Sequence, residues 1–245
     1  MSADLAAAPT PAPAPAWRPA AGLAAIAAVV LLAWSTPLVW PLKILVVFFH
    51  ELSHGLAAIA TGGSIDRIEV VAAQGGLCVT RGGSAFLTLS AGYLGSLLWG
   101  AAALLAAARS RRDRGVTIAL GGVIVLATVL WVRPLLSFGF GFHLAAGMAL
   151  VAIGTWLPAG VSDAVLRVFG VASCLYVVPD VWSDTIARSG LRSDARMLAE
   201  LTGIPTVVWG AFWIIAALLI VGAALAAAGR PWPQEPPPAS GHSGF

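Results

Sequence analysis

Apolar residues fill the chain in long runs separated by short polar or Gly/Pro-marked breaks, and this spacing predicts a bundle of membrane-crossing helices. A helix needs roughly 20 mostly apolar residues to cross the hydrocarbon layer of a bilayer. The first run covers 21–35 and ends at the break marked by Pro37 and Pro41, the second covers 42–60 and the third 85–108. Further spans are expected at 116–132, 142–157, 165–178 and 205–228. The fifth and sixth of these are short and interrupted by Gly and Pro, so the pattern predicts six to seven spans in all. The small residues of AGYLGSLLWG in the third run recur at helical spacing, which allows neighbouring helices to approach closely.

Between the second and third runs the period changes. Ile65-Asp66-Arg67-Ile68-Glu69-Val70 alternates, Leu77-Cys78-Val79-Thr80 alternates again, and Gln74-Gly75-Gly76 lies between them, which is a hairpin signal. The expected fold is therefore all-α: a polytopic membrane helical bundle with a small β-hairpin at the membrane face after the second span. Residues 1–20 are Ala/Pro-rich and 230–245 (including His242) are Pro-rich, so both ends read as disordered or polyproline-like tails flanking a membrane domain over 21–229. The start lacks the basic residues and apolar core of a cleavable signal peptide. No repeat of fixed period supports a solenoid or an inverted-repeat transporter.

Composition strengthens this picture. Of 245 residues 59% are hydrophobic and 10% charged, where soluble domains carry about a quarter charged residues. The net charge is only +3. The arginines gather in short loops, above all Arg109-Ser110-Arg111-Arg112-Asp113-Arg114, instead of forming a basic face interleaved with aromatics. That placement suits membrane orientation, with this loop expected on the cytoplasmic side, and speaks against nucleic-acid binding. In the last loop Arg188, Arg192 and Arg196 are balanced by Asp184, Asp194 and Glu200, so charge does not fix the orientation of the C-terminal half. Cys78 and Cys174 are too few for a disulfide framework and form no CxxC pair; they read as packing residues.

The candidate chemistry lies in the second span. His50-Glu51-Leu52-Ser53-His54 matches HExxH, and the spacing has a geometric reason. Residues four apart project from one face of a helix, so both imidazoles reach one zinc ion while the glutamate faces the metal-bound water as general base. Ionisable groups inside an apolar span are costly and mark functional sites. Zinc held by two histidines needs a third protein ligand, leaving a fourth place for water. Asp180 and Asp184, four residues apart at the end of an apolar run, are the leading candidates, with turn or cap roles as the alternative. Asp163 and Asp194 are weaker, because Ser162-Asp163-Ala164 and Ser193-Asp194-Ala195 both look like helix caps. A lone His143 near a span start reads first as a packed residue.

These residues together resemble the site-2 protease superfamily of intramembrane zinc metalloproteases, in its compact branch without a PDZ domain. The resemblance is carried by FFHELSHGLAAIATGG, the polar hairpin-like segment, AGYLGSLLWG, YVVPDVWSDTIAR, SDA and the TG-P-VVWG-FW segment, over 43–213. It implies that His50 and His54 bind Zn2+, that Glu51 is the catalytic acid/base, and that a distant aspartate completes the metal site. By that resemblance Asp180 is the third ligand, with Asp184 as the alternative, because the better-known members carry this aspartate in an LDG-type sequence and this chain has PDVWSD. The expected function is a membrane-embedded zinc metalloendopeptidase, multi-pass in the cell membrane, cleaving peptide bonds in or near transmembrane segments of a protein substrate. The rival from another class is a non-proteolytic metal-binding membrane protein, a transporter or scaffold, and a third reading is a lipid-directed hydrolase at the interface.

Overall fold

A computed structural model describes residues 18–187 and 193–230. The two expected tails, apart from their inner residues, and the loop arginines Arg188 and Arg192 lie outside the described residues. Among the described residues, eight α-helices and one two-stranded sheet follow one another in the order α1 (Arg18–Leu32), α2 (Trp40–Ala60), β1 (Ser64–Val70), β2 (Gly76–Arg81), α3 (Ala85–Arg109), α4 (Asp113–Trp131), α5 (Phe138–Trp156), α6 (Ala159–Trp182), α7 (Asp194–Thr202) and α8 (Thr206–Ala228). A π-helical turn, Ser183–Ala187, continues α6.

Six of these helices are long and apolar enough to cross a membrane: α2, α3, α4, α5, α6 with its π turn, and α8. The first expected span, α1, is a shorter apolar helix of 15 residues. The fifth and sixth, expected to be short, run for 19 and 24 residues, and α6 passes through Pro179 without breaking. The one helix the apolar pattern did not predict is α7, which is nine residues long and polar on one side.

Local chemistry sets the helix ends. Pro41 sits in the first turn of α2, where its missing N–H costs nothing. The hydroxyls of Ser84, Ser137 and Ser193 accept from the backbone amides of Leu87, Phe140 and Arg196, capping α3, α5 and α7. Several arginines satisfy carbonyls left over at helix C-termini. Arg109 donates to the Ala227 carbonyl at the end of α8, at 3.1 Å from Nε and 2.7 Å from Nη2. Arg114 donates to the Gly154 and Thr155 carbonyls at the end of α5. Arg167 binds Asp163 four residues earlier and reaches the Ala107 carbonyl of α3.

The core lies between α2 and the helices around it. Ile44, Phe48, Phe49 and Leu52 of α2 pack against Ala103 and Ala107 of α3, Ile124 of α4 and Phe169 of α6. At the α3–α6 crossing, a Cβ on Gly170 would stand 2.7 Å from the Gly100 carbonyl, so only glycine permits that approach. The antiparallel hairpin pairs Ile68 with Cys78 and lies along α2. Buried Ile68 also bridges to Val132, and the Trp40 indole donates to the Ala72 carbonyl at 2.9 Å, which pins the hairpin at the start of α2 and at the α4–α5 link.

Candidate metal centre

His50 and His54 leave α2 on one face, as their spacing dictates, with ring centroids 4.7 Å apart and planes at 75°. The structure brings a carboxylate to them from a stretch 144 residues further along the chain. Asp194 Oδ2 lies 3.0 Å from Nε2 of His50 and 3.0 Å from Nε2 of His54. Among the described residues these three form the one cluster of potential ligands whose donor atoms all lie within 4.8 Å of one another.

The carboxylate in this cluster differs from the expected one. Asp180 and Asp184 line the cavity that holds the two imidazoles, yet neither belongs to the cluster. Asp184 Oδ2 instead accepts a hydrogen bond of 2.6 Å from the Tyr93 hydroxyl. The physical reason is the path of the chain. Both residues sit where α6 passes into its π turn, and Tyr93, whose ring also meets His50, fills the space between Asp184 and that imidazole. The acidic group that reaches the histidines opens the next helix. Ser193 is a genuine N-cap, as its Ser-Asp-Ala context suggests, but the residue after it turns its carboxylate inward. The sister sequence Ser162-Asp163-Ala164 lies far from the cluster, with Asp163 paired to Arg167. His143 is buried in α5, donates from Nδ1 to the Gly139 carbonyl at 2.6 Å and stacks on Phe48, so it is a packing residue.

Several features suit a divalent cation. His54 Nδ1–H donates to the Thr88 carbonyl at 2.6 Å, which leaves Nε2 as the lone-pair nitrogen facing Asp194. Two nitrogens and a carboxylate oxygen are a zinc-type donor set, and ligands of a tetrahedral zinc stand about 3.3–3.6 Å apart. The 3.0 Å spacings here are within a few tenths of that. Burial alone would raise the Asp194 carboxyl, but the charge of the neighbouring imidazoles when they are protonated, His54 first, holds it below the usual carboxylate range. Burial, assisted by the Glu51 charge, pushes the Cys78 thiol up to about 12, and its sulfur lies outside the cluster of potential ligands.

The backbone leaves room for the site. A Cβ on Gly92 of α3 would overlap Nε2 of both His50 and His54. A Cβ on Gly76 at the start of β2 would likewise overlap the Glu51 carboxyl, which is buried between α2 and the hairpin. Gly92→Ala is therefore expected to displace both imidazoles and to lower metal affinity at least about tenfold, as measured by competition with a chelator, with helix content unchanged. Wild-type affinity in that variant would mean that the rings are not confined as described. A cavity of about 630 Å3 opens onto His50, Glu51, His54 and Asp194. Its walls include Gly75 and Leu77 of the hairpin and Thr88 of α3.

The family model described as Peptidase M50B-like matches residues 23–224. The chain belongs to that family. It is a site-2 protease family, which agrees with the resemblance seen in the motifs, and the protein is accordingly an integral, multi-pass membrane protein of a peptidase family. The match includes every element that contributes to the site, from α2 to α7. Comparison with curated proteins and with solved structures returns no match.

Proposed function

We propose that this M50B-like protein is an intramembrane zinc metalloendopeptidase of the cell membrane, its protease domain spanning 21–229. In this reading His50, His54 and Asp194 hold the metal, with Asp194 in the position that sequence alone gives to Asp180, and Glu51 is the general base. The observation that carries it is the meeting of two imidazole nitrogens and one carboxylate oxygen at 3.0 Å beside a buried glutamate that is not part of the cluster.

Bound zinc would supply Lewis acidity, bringing a water ligand to a pKa of about 7 and polarising the scissile carbonyl. The chain's own residues do the rest. Glu51 takes a proton from water as its oxygen attacks the carbonyl carbon, and delivers it to the amine nitrogen as the C–N bond breaks. His54, fixed by the Thr88 carbonyl, and His50, packed edge-on against Tyr93, keep their nitrogens aimed at one point. The cavity is the route by which water would reach Glu51 within the span. The substrate is a transmembrane or membrane-adjacent peptide segment, which must unwind locally because a helix already hydrogen-bonds and shields its carbonyls.

The test uses the full chain in detergent micelles. Elemental analysis is expected to find one zinc per chain, lost in His50→Ala, and cleavage of a reporter with a transmembrane segment is expected to stop on chelation and return with zinc. Cleavage that survives chelation, or a wild-type protein without zinc, would defeat the proposal.

A further inference from the structure

Tyr93 is buried to 1% exposure on α3, directly after the glycine that makes room for the imidazoles. Its ring meets His50 edge-on at 4.7 Å and 84°, and its other contacts include Trp213 of α8 at 4.8 Å. A buried phenol needs a partner for its hydroxyl, and here it donates to Asp184 Oδ2 at 2.6 Å, a short bond of the charge-assisted kind. Asp184 is tied in turn to the next segment: its backbone carbonyl accepts from the Ser193 hydroxyl at 3.4 Å. Ser193 caps α7, and Asp194 is the first residue of that helix.

These contacts close a circuit. It runs from the His50 ring to Tyr93, from Tyr93 to Asp184, from Asp184 to Ser193 and Asp194, and from Asp194 back to His50 Nε2. His54 is held by a different device, the Thr88 carbonyl on α3. Asp194 needs such support more than either histidine, since it arrives on a nine-residue helix and not on a membrane span.

We propose that Tyr93 and Asp184 form a positioning latch that joins α3 to the segment bearing Asp194 and so holds His50 and Asp194 in register for the metal. This rests on the metal-centre reading of His50, His54 and Asp194. Neither latch residue is a ligand; both act through the groups they hold.

The experiment loads the full chain in micelles with Co2+ and reads affinity by chelator competition, together with the visible d–d spectrum of the bound ion. Tyr93→Phe keeps the ring and removes only the hydroxyl. It is expected to weaken Co2+ binding about tenfold and to alter the spectrum. The reporter assay is expected to show lowered kcat with KM unchanged. Asp184→Ala is expected to match it, the double variant to be no weaker than either single one, and Asp184→Asn, which keeps an acceptor oxygen, to bind within about threefold of wild type. A Tyr93→Phe variant with wild-type affinity and spectrum overturns the latch, as do losses that multiply in the double variant. Should Tyr93→Phe fail to fold, the comparison of Asp184→Asn with Asp184→Ala decides alone: equal weakness of the two overturns the hydrogen-bonded latch. A wild-type protein that binds no Co2+ refutes the metal centre itself, whereas wild-type binding with unaffected variants refutes only the latch.

Discussion

Glu51→Gln is expected to lower cleavage of a membrane reporter by about 10³-fold while one metal ion per chain remains bound. The amide has the same shape as the carboxyl, so the packing against Gly76 and the hairpin is preserved. What disappears is the ability to accept a proton from water. Glu51 stands outside the cluster of His50, His54 and Asp194, so the metal has no reason to leave. Elemental analysis and the reporter assay on one preparation separate the possibilities. Loss of metal along with activity would make Glu51 a ligand, and full activity would remove it from the chemistry. The same variant discriminates a peptidase from a transporter or scaffold, whose metal would need the histidines but no unligated carboxyl beside them.

The second large effect concerns the third ligand. Asp194→Ala is expected to cut metal affinity by about a hundredfold or more and to abolish cleavage, because two imidazoles alone do not complete a three-ligand site. Asp180→Ala is expected to retain the full complement of metal, since Asp180 lines the cavity but lies outside the cluster. Chelator competition on the two purified variants measures both. The opposite pattern, metal lost with Asp180 and kept without Asp194, would return the third position to the residue that sequence favours.

The contrast between those two aspartates shows what is legible in a sequence. His50, Glu51 and His54 can be read because one helix holds all three and helical spacing alone puts the imidazoles on one side. The hairpin can be read for a similar reason: two alternating runs around Gln74-Gly75-Gly76 are local, and β1 and β2 fall where that alternation places them. The long spans follow from apolar length. Asp194 follows from none of these. Its proposed role depends on how α6 ends and how α7 docks against α3 and α8, which are tertiary facts. Its sequence signal, Ser-Asp-Ala, is true as a cap signal and silent about the carboxylate. α7 itself is too short and too polar to register as a membrane element. Tyr93 is masked in another way, because an aromatic residue within AGYLGSLLWG looks like ordinary packing until its hydroxyl is found on Asp184. The arginines of 109–114 carry more than topology, since Arg109 and Arg114 also tie off the ends of α8 and α5.

The π turn at Ser183–Ala187 holds about one residue more than an α-helical path would need. Each residue of a helix advances the chain by about 100° around its axis, so that one surplus residue resets the angular phase of everything leaving α6. Deleting one of Thr185, Ile186 and Ala187 would leave HELSH, PDVWSD and Ser-Asp-Ala as they are and hardly change the hydropathy of the span. Yet the chain would leave α6 turned by about that angle, and none of those motifs would record it.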